Sequence, residues 1–231
     1  MTSLCRVGSI LLAGVLLAGC GHFRMVKDRY QQTKTVAIVQ FVGQPVKDLV
    51  VPFDLKNLTG PSPWERMVTN DAIAMAEFMK ERGFTVLPMD EMVRADKYTA
   101  KGENVPNEYF TPRGMRLFTT RYGIPQVDIS FMTANALAKE LGVDAVICVY
   151  STWKTESAKL GLQQMARTIV TVKMVDKMSS QIWEDLDFSD STNNISTVGV
   201  KGTTEEFIAA YNEAFKTTLK KMQGRIDEAL R

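Results

Sequence analysis

Histidine is almost absent from this chain of 231 residues, and that scarcity removes more chemistry than any other feature. The single histidine, His22, lies near the N-terminus, ahead of the first segment that reads as folded. A domain without histidine holds no serine triad, no cysteine–histidine pair and no histidine-ligated metal. Excess charge is missing too: 28 basic side chains face 26 acidic ones, so there is no electrostatic footprint for nucleic acid. Cysteine is limited to Cys5, Cys20 and Cys148. The longest apolar run, Val7 to Leu17, is too short to span a bilayer as a helix. Internal repeats and low-complexity tracts are lacking as well.

What is present begins with Arg6, followed by that uncharged run, the order of a signal peptide's charged and apolar regions. Leu17, Ala18, Gly19 and Cys20 then resemble the lipobox of bacterial lipoproteins. The resemblance implies cleavage after residue 19 and a thioether-linked diacylglyceryl group on Cys20. Each buried methylene contributes about 0.8 kcal/mol, so two or three acyl chains anchor a protein where one does not. By the same resemblance, Gly21 after the cysteine implies delivery to the outer membrane, facing the periplasm. With Cys5 removed and Cys20 acylated, Cys148 is left as a lone thiol, which excludes an intrachain disulfide.

Residues 20–34 read as a lipidated cysteine and a short polar linker, and 35–231 as a single domain. Thr35 to Gly43 has the β-branched, apolar character of a buried strand. Ser62, Pro63 and Glu65 form an N-cap, a first-turn proline and a capping-box acid, opening a helix that runs to Arg82 and stops at Gly83. Its apolar stripe is Trp64, Met67, Val68, Met75, Phe78 and Met79. Phe84 to Leu87 reads as a short strand, and Asp90 to Lys97 as a brief helix. Ser130 or Asp128 caps a helix whose Phe131, Ala134, Leu137, Ala138 and Leu141 share a face. Ala145 to Tyr150 is a buried strand with Cys148 inside it.

Thr168–Asp176 and Gln181–Phe188 read as a hairpin, and Ser189 to Gly202 as a polar loop. Thr203 and Glu206 open the last helix with a second capping box, and Ile208, Tyr211, Phe215, Leu219, Met222, Ile226 and Ala229 line it. Early strands alternating with helices and a late hairpin imply an α/β fold: a mixed sheet with helices packed on it.

Three clusters are candidate sites. Tyr98, Tyr109, Phe110, Phe118 and Tyr122 fall in an irregular stretch, where aromatics either extend the core or meet a partner. Lys216, Lys220, Lys221 and Arg225 gather on the last helix as a contact for an anionic surface, or as a solvated face complementing the helix dipole. Glu184, Asp185, Asp187 and Asp190 are the densest carboxylates. They lack an EF-hand's glycine loop and read as a solvated strand face, with Asp185 and Asp187 on one side and Glu184 on the other. Neighbouring acids at mid-strand also speak against a membrane-spanning hairpin, since one of them must face lipid.

TVAIVQF, ERGFTVL, AKELGVDAVICVY, and VTVKMVD followed by QIW together resemble a family of small periplasmic α/β domains. It includes the curli-secretion lipoprotein CsgG, the lipoprotein activators of penicillin-binding proteins, the exopolysaccharide-export ring lipoprotein and the N-terminal domain of the Tol system's propeller protein. The hairpin turn departs from the pattern, with Met178 and Ser179 where the family often has threonine and glycine. The resemblance implies a non-enzymatic role without cofactor or metal: an adaptor or accessory factor for an envelope protein complex, or a subunit of a secretion or export ring. An enzyme working through carboxylates alone is the third possibility.

Overall fold

The computed structural model describes residues 22–46, 62–99, 109–118, 129–158, 163–197 and 200–231. Its elements are β1 (His22–Met25), α1 (Lys27–Gln32), β2 (Thr35–Pro45), α2 (Pro63–Glu81), β3 (Thr85–Val86), α3 (Met89–Met92), α4 (Asp96–Thr99), α5 (Phe131–Glu140), β4 (Ala145–Ala158), β5 (Gln163–Asp176), β6 (Gln181–Thr197), β7 (Val200–Lys201) and α6 (Thr204–Leu230). The strands form one mixed sheet in the order β1-β6-β5-β4-β2-β3, with β7 also on β6. β2 runs parallel to β3 and β4, which is what helical crossovers require; β4, β5 and β6 are antiparallel. This is the expected α/β class.

Both capping boxes form. Ser62 and Thr203 each accept a hydrogen bond from the backbone N–H three residues on, while Glu65 and Glu206 return to the cap's own N–H. These caps satisfy donors that a helix start otherwise leaves open. α2 and α6 lie side by side on one face of the sheet, and their stripes supply its core. The Trp64 ring stacks on Trp153 at 5.9 Å, Phe78 on Trp183 at 6.3 Å, and Phe41 meets Phe215 at 5.8 Å. Trp153 lies across β2 only because residue 43 is glycine: a Cβ there would enter the indole ring.

A bulge sets the opposite face. The β2–β4 register slips between Ile38 and Gln40, so Val39 leaves the regular ladder. The Tyr98 hydroxyl donates to the Val39 carbonyl at 3.0 Å and accepts from the Arg116 N–H at 2.7 Å. Next to it, the Gln40 side-chain oxygen takes the Phe118 N–H at 2.7 Å. The irregular segment thus closes over β2 by satisfying the polar groups the bulge exposes.

Three expectations are corrected. The segment read as a polar linker is partly folded: β1 pairs with β6 from His22 opposite Leu186 to Met25 opposite Trp183, and Tyr30 of α1 packs against Phe84 and Trp183. The segment read as a loop after Phe188 continues β6 to Thr197, its free edge held by α6. There the Glu213 carboxylate accepts from the N–H of Thr192 at 3.1 Å, and the Lys221 ammonium donates to the Phe188 carbonyl at 2.7 Å. Side chains that occupy an open strand edge in this way block pairing with another chain. Finally, Phe131 is exposed rather than on the buried face of α5.

Candidate functional site

Of the described aromatics, Tyr98 belongs to the core, while Phe110 and Phe118 are half-buried against it. Tyr98 is fully buried by the hydrogen bonds above, and Phe118 meets it edge-on at 6.1 Å. Phe110 pairs with Gly43 through two 2.8 Å backbone bonds and sits 5.8 Å from Trp64, while Tyr109 is half-buried. Tyr98 in particular offers no surface to a partner. Tyr122 and Cys20 lie outside the described residues.

The basic cluster divides among four settings. Lys216 lines a cavity beside Asp71; Lys220 lines a groove with Glu77 and Glu81 of α2; Lys221 reaches the β6 edge. Arg225 turns to the sheet and bonds Asp185 at 2.6 Å and Asp187. The carboxylate row alternates as expected, but it is not a solvated face: Asp185 is fully buried and Asp187 nearly so. Burial pushes the Asp185 carboxyl above the usual carboxylate range despite the guanidinium beside it. On the other face Glu184 meets Gln181, His22 and Lys173, at 2.7, 3.3 and 3.6 Å. Among the described residues no three acidic, cysteine or histidine side chains gather to hold a metal.

Asp71 escaped the sequence analysis, although an acid in phase with Val68, Met75 and Phe78 on an apolar stripe was the signal that would have found it. It is buried between α2 and the sheet, and neither carboxylate oxygen has a hydrogen-bond partner. A cavity of about 260 Å³ adjoins it, lined also by Asn70, Glu77, Asn212 and Lys216. Desolvation pushes its pKa far up; the Trp153 indole and the Lys216 ammonium offset this only in part, and neither closes a hydrogen bond. The neutral acid is therefore the form the fold prefers. That contribution is complete at pH values below the unfolded-state pKa and is lost as pH rises through the folded-state value. Asp71→Asn is expected to flatten this slope and to gain on the order of 1 kcal/mol at pH 8. Denaturant midpoints from pH 4 to pH 8 check it, and parallel wild-type and variant curves would contradict it.

A second feature lies at the β5–β6 turn. Ser179 takes a positive φ of 63°, and the Asp176 carboxylate accepts from the N–H groups of Met178 and Ser180, both at 2.9 Å, and from Arg29 at 2.7 Å. Lys177 is tied to Asp144 at 2.8 Å, and its carbonyl accepts from the Asn135 side chain of α5. Asp144 also accepts from the backbone N–H groups of Lys34 and Thr35, and the Lys177 ammonium, followed by these backbone donors, holds its carboxyl well below the usual range. The turn is thus braced from three sides, yet its Met178 is 72% exposed. On the adjoining start of α5, Phe131 is 48% and Met132 83% exposed. Phe131, Met132 and Met178 are thus three large apolar side chains left in contact with solvent.

No family model matches the chain, and neither does any curated protein. Among solved structures it is similar to a lipoprotein of Neisseria meningitidis, at 12% identity and a TM-score of 0.40, over 85% of this chain and 99% of the other. It is also similar to a PelC dodecamer of Paraburkholderia phytofirmans, at 9% identity and a TM-score of 0.40, over 90% of this chain and 98% of that one. It is similar as well to a Helicobacter pylori protein described as a homologue of a neuraminyllactose-binding hemagglutinin, at 12% identity and a TM-score of 0.35, over 86% of this chain and 87% of that one.

Proposed function

We propose that this chain is a lipoprotein anchored through Cys20 to the periplasmic face of the outer membrane, where it serves as a non-enzymatic adaptor for an envelope protein complex. The observation that carries the adaptor role is the exposure of Phe131 and Met132 at the start of α5 and of Met178 on the braced turn, to which Asn135 of α5 is bonded. Methionine fills irregular contacts adaptably, and an aromatic beside it supplies the larger contact area. The lipobox residues Leu17 to Cys20 support the anchor.

Two tests follow from this reading. Cys20→Ser is expected to abolish incorporation of labelled palmitate and to leave the protein unprocessed or released; label retained in that variant counts against the anchor. A photo-crosslinking residue at Met132 or Met178 in living cells is expected to give one discrete adduct with a different protein. Adducts only between copies of this chain would instead favour a ring subunit. No adduct at either position would remove the adaptor surface.

A further inference from the structure

If Cys20 carries lipid, the distance between that lipid and the folded domain is fixed by chain length. One residue, Gly21, separates Cys20 from His22, and His22 is already in the sheet opposite Leu186. Two residues of chain reach at most about 7 Å. The acyl chains therefore leave the protein at the β1–β6 edge, with no tether to let the domain turn away.

That edge has the chemistry of a headgroup contact. β1 is the outermost strand, and its His22 and Arg24 are exposed while Phe23 and Met25 pack inward. Just past the end of β1, Phe188 of β6 is 37% exposed. Cations flank its ring: the Arg167 guanidinium lies 5.0 Å from the centroid and the Lys221 ammonium 5.4 Å. Val26, also exposed, stands at the other end of β1, about 20 Å away at the rise of a strand. The nearby acids are engaged: Asp190 and Glu156 both by Arg167, whose charge they take up, Glu184 by Gln181 and His22, and Glu213 by Thr192 and Asn193, which leaves Lys221 and Arg24 as the cations for phosphate. An apolar ring between cations suits the boundary of a bilayer, where the ring enters the acyl region and the cations meet phosphates.

We propose that the β1–β6 edge lies on the phospholipid surface, with Phe188 inserted between headgroups and Lys221 and Arg24 facing lipid phosphates. This rests on the Cys20 anchor proposed above and adds an orientation to it: the edge of the sheet formed by β3, with Ile73 of α2 beside it, is turned away from the membrane.

The experiment places a benzophenone amino acid at Phe188, Arg24 or, at the opposite edge of the sheet, exposed Ile73 of the full-length protein, in cells labelled with radiophosphate and, separately, with palmitate. Several-fold more phospholipid adduct at positions 188 and 24 than at 73 is expected. Palmitate on the protein with equal phospholipid adducts at all three positions would overturn the orientation and leave the anchor standing. Absence of palmitate would overturn the anchor and the orientation with it. Adducts of position 188 or 24 with a second copy of this chain would show the edge to be a protein interface, and would also overturn the proposal.

Discussion

Ile147→Asp is expected to leave no cooperatively folded protein. β4 lies in the sheet interior, with β2 on one side and β5 on the other, and the register sets Ile147 beside Ile38 and Met174. Val146, Ile147 and Val149 have no exposed surface at all. Both ladder partners of an aspartate there are apolar, and Lys173, next along β5, alternates to the other face, where its ammonium lies 3.6 Å from Glu184. A buried, unpaired carboxylate takes up a proton instead, and burying even the neutral acid without a partner costs about 2–7 kcal/mol. Added to the lost isoleucine packing of about 2–5 kcal/mol, this is comparable to the about 5–15 kcal/mol that holds a typical domain together. Ile147→Val is the control, at about 1 kcal/mol. Circular dichroism melts of both variants decide the matter: a sigmoidal transition at the wild-type temperature in the aspartate variant would mean that the central strand is misplaced.

How much of this was legible in the sequence depends on how strongly each segment is patterned. The central strands and the two long helices carry concentrated signals: β-branched runs in β2 and β4, and a serine or threonine followed by glutamate at N3 in α2 and α6. Where the structure departs, the signal was short or compositionally masked. β1 alternates His22 and Arg24 outward with Phe23 and Met25 inward, but four residues between charged neighbours do not outweigh a polar composition. The far half of β6 looks like a loop because it is built from serine, threonine and asparagine. Yet Ser189 and Ser191 are buried beneath α6, where small side chains let the helix approach closely. The aromatic segment admitted two readings because the same residues serve cores and interfaces; the bulge at Val39, which recruits Tyr98 inward, is a tertiary event invisible to local pattern. Met178 stood out only as a departure from the family's hairpin turn, because the bracing of that turn by Asp176 and Asp144 is not visible in local pattern.

Arg225→Met is expected to destabilise the protein by about 3–5 kcal/mol, because it leaves the buried carboxylates of Asp185 and Asp187 without their cation. Removing all three charges is a different matter. A variant combining Arg225→Met with Asp185→Leu and Asp187→Thr loses the attraction and the desolvation cost together, and is expected to fall within about 2 kcal/mol of wild type on either side. The pH dependence separates this mechanism from simple loss of packing. In wild type the Asp185 carboxyl is already pushed up by burial, with Arg225 opposing the shift; without Arg225 it rises further. The single variant's deficit should therefore be smallest at pH values below the unfolded carboxylate pKa, where Asp185 is protonated in both states, and should grow as pH rises through the folded-state value. Urea midpoints at pH 4 and pH 8 measure it. A deficit equal at both pH values would assign the effect to the lost arginine stem packing along α6, and the triple variant would then be as unstable as the single one.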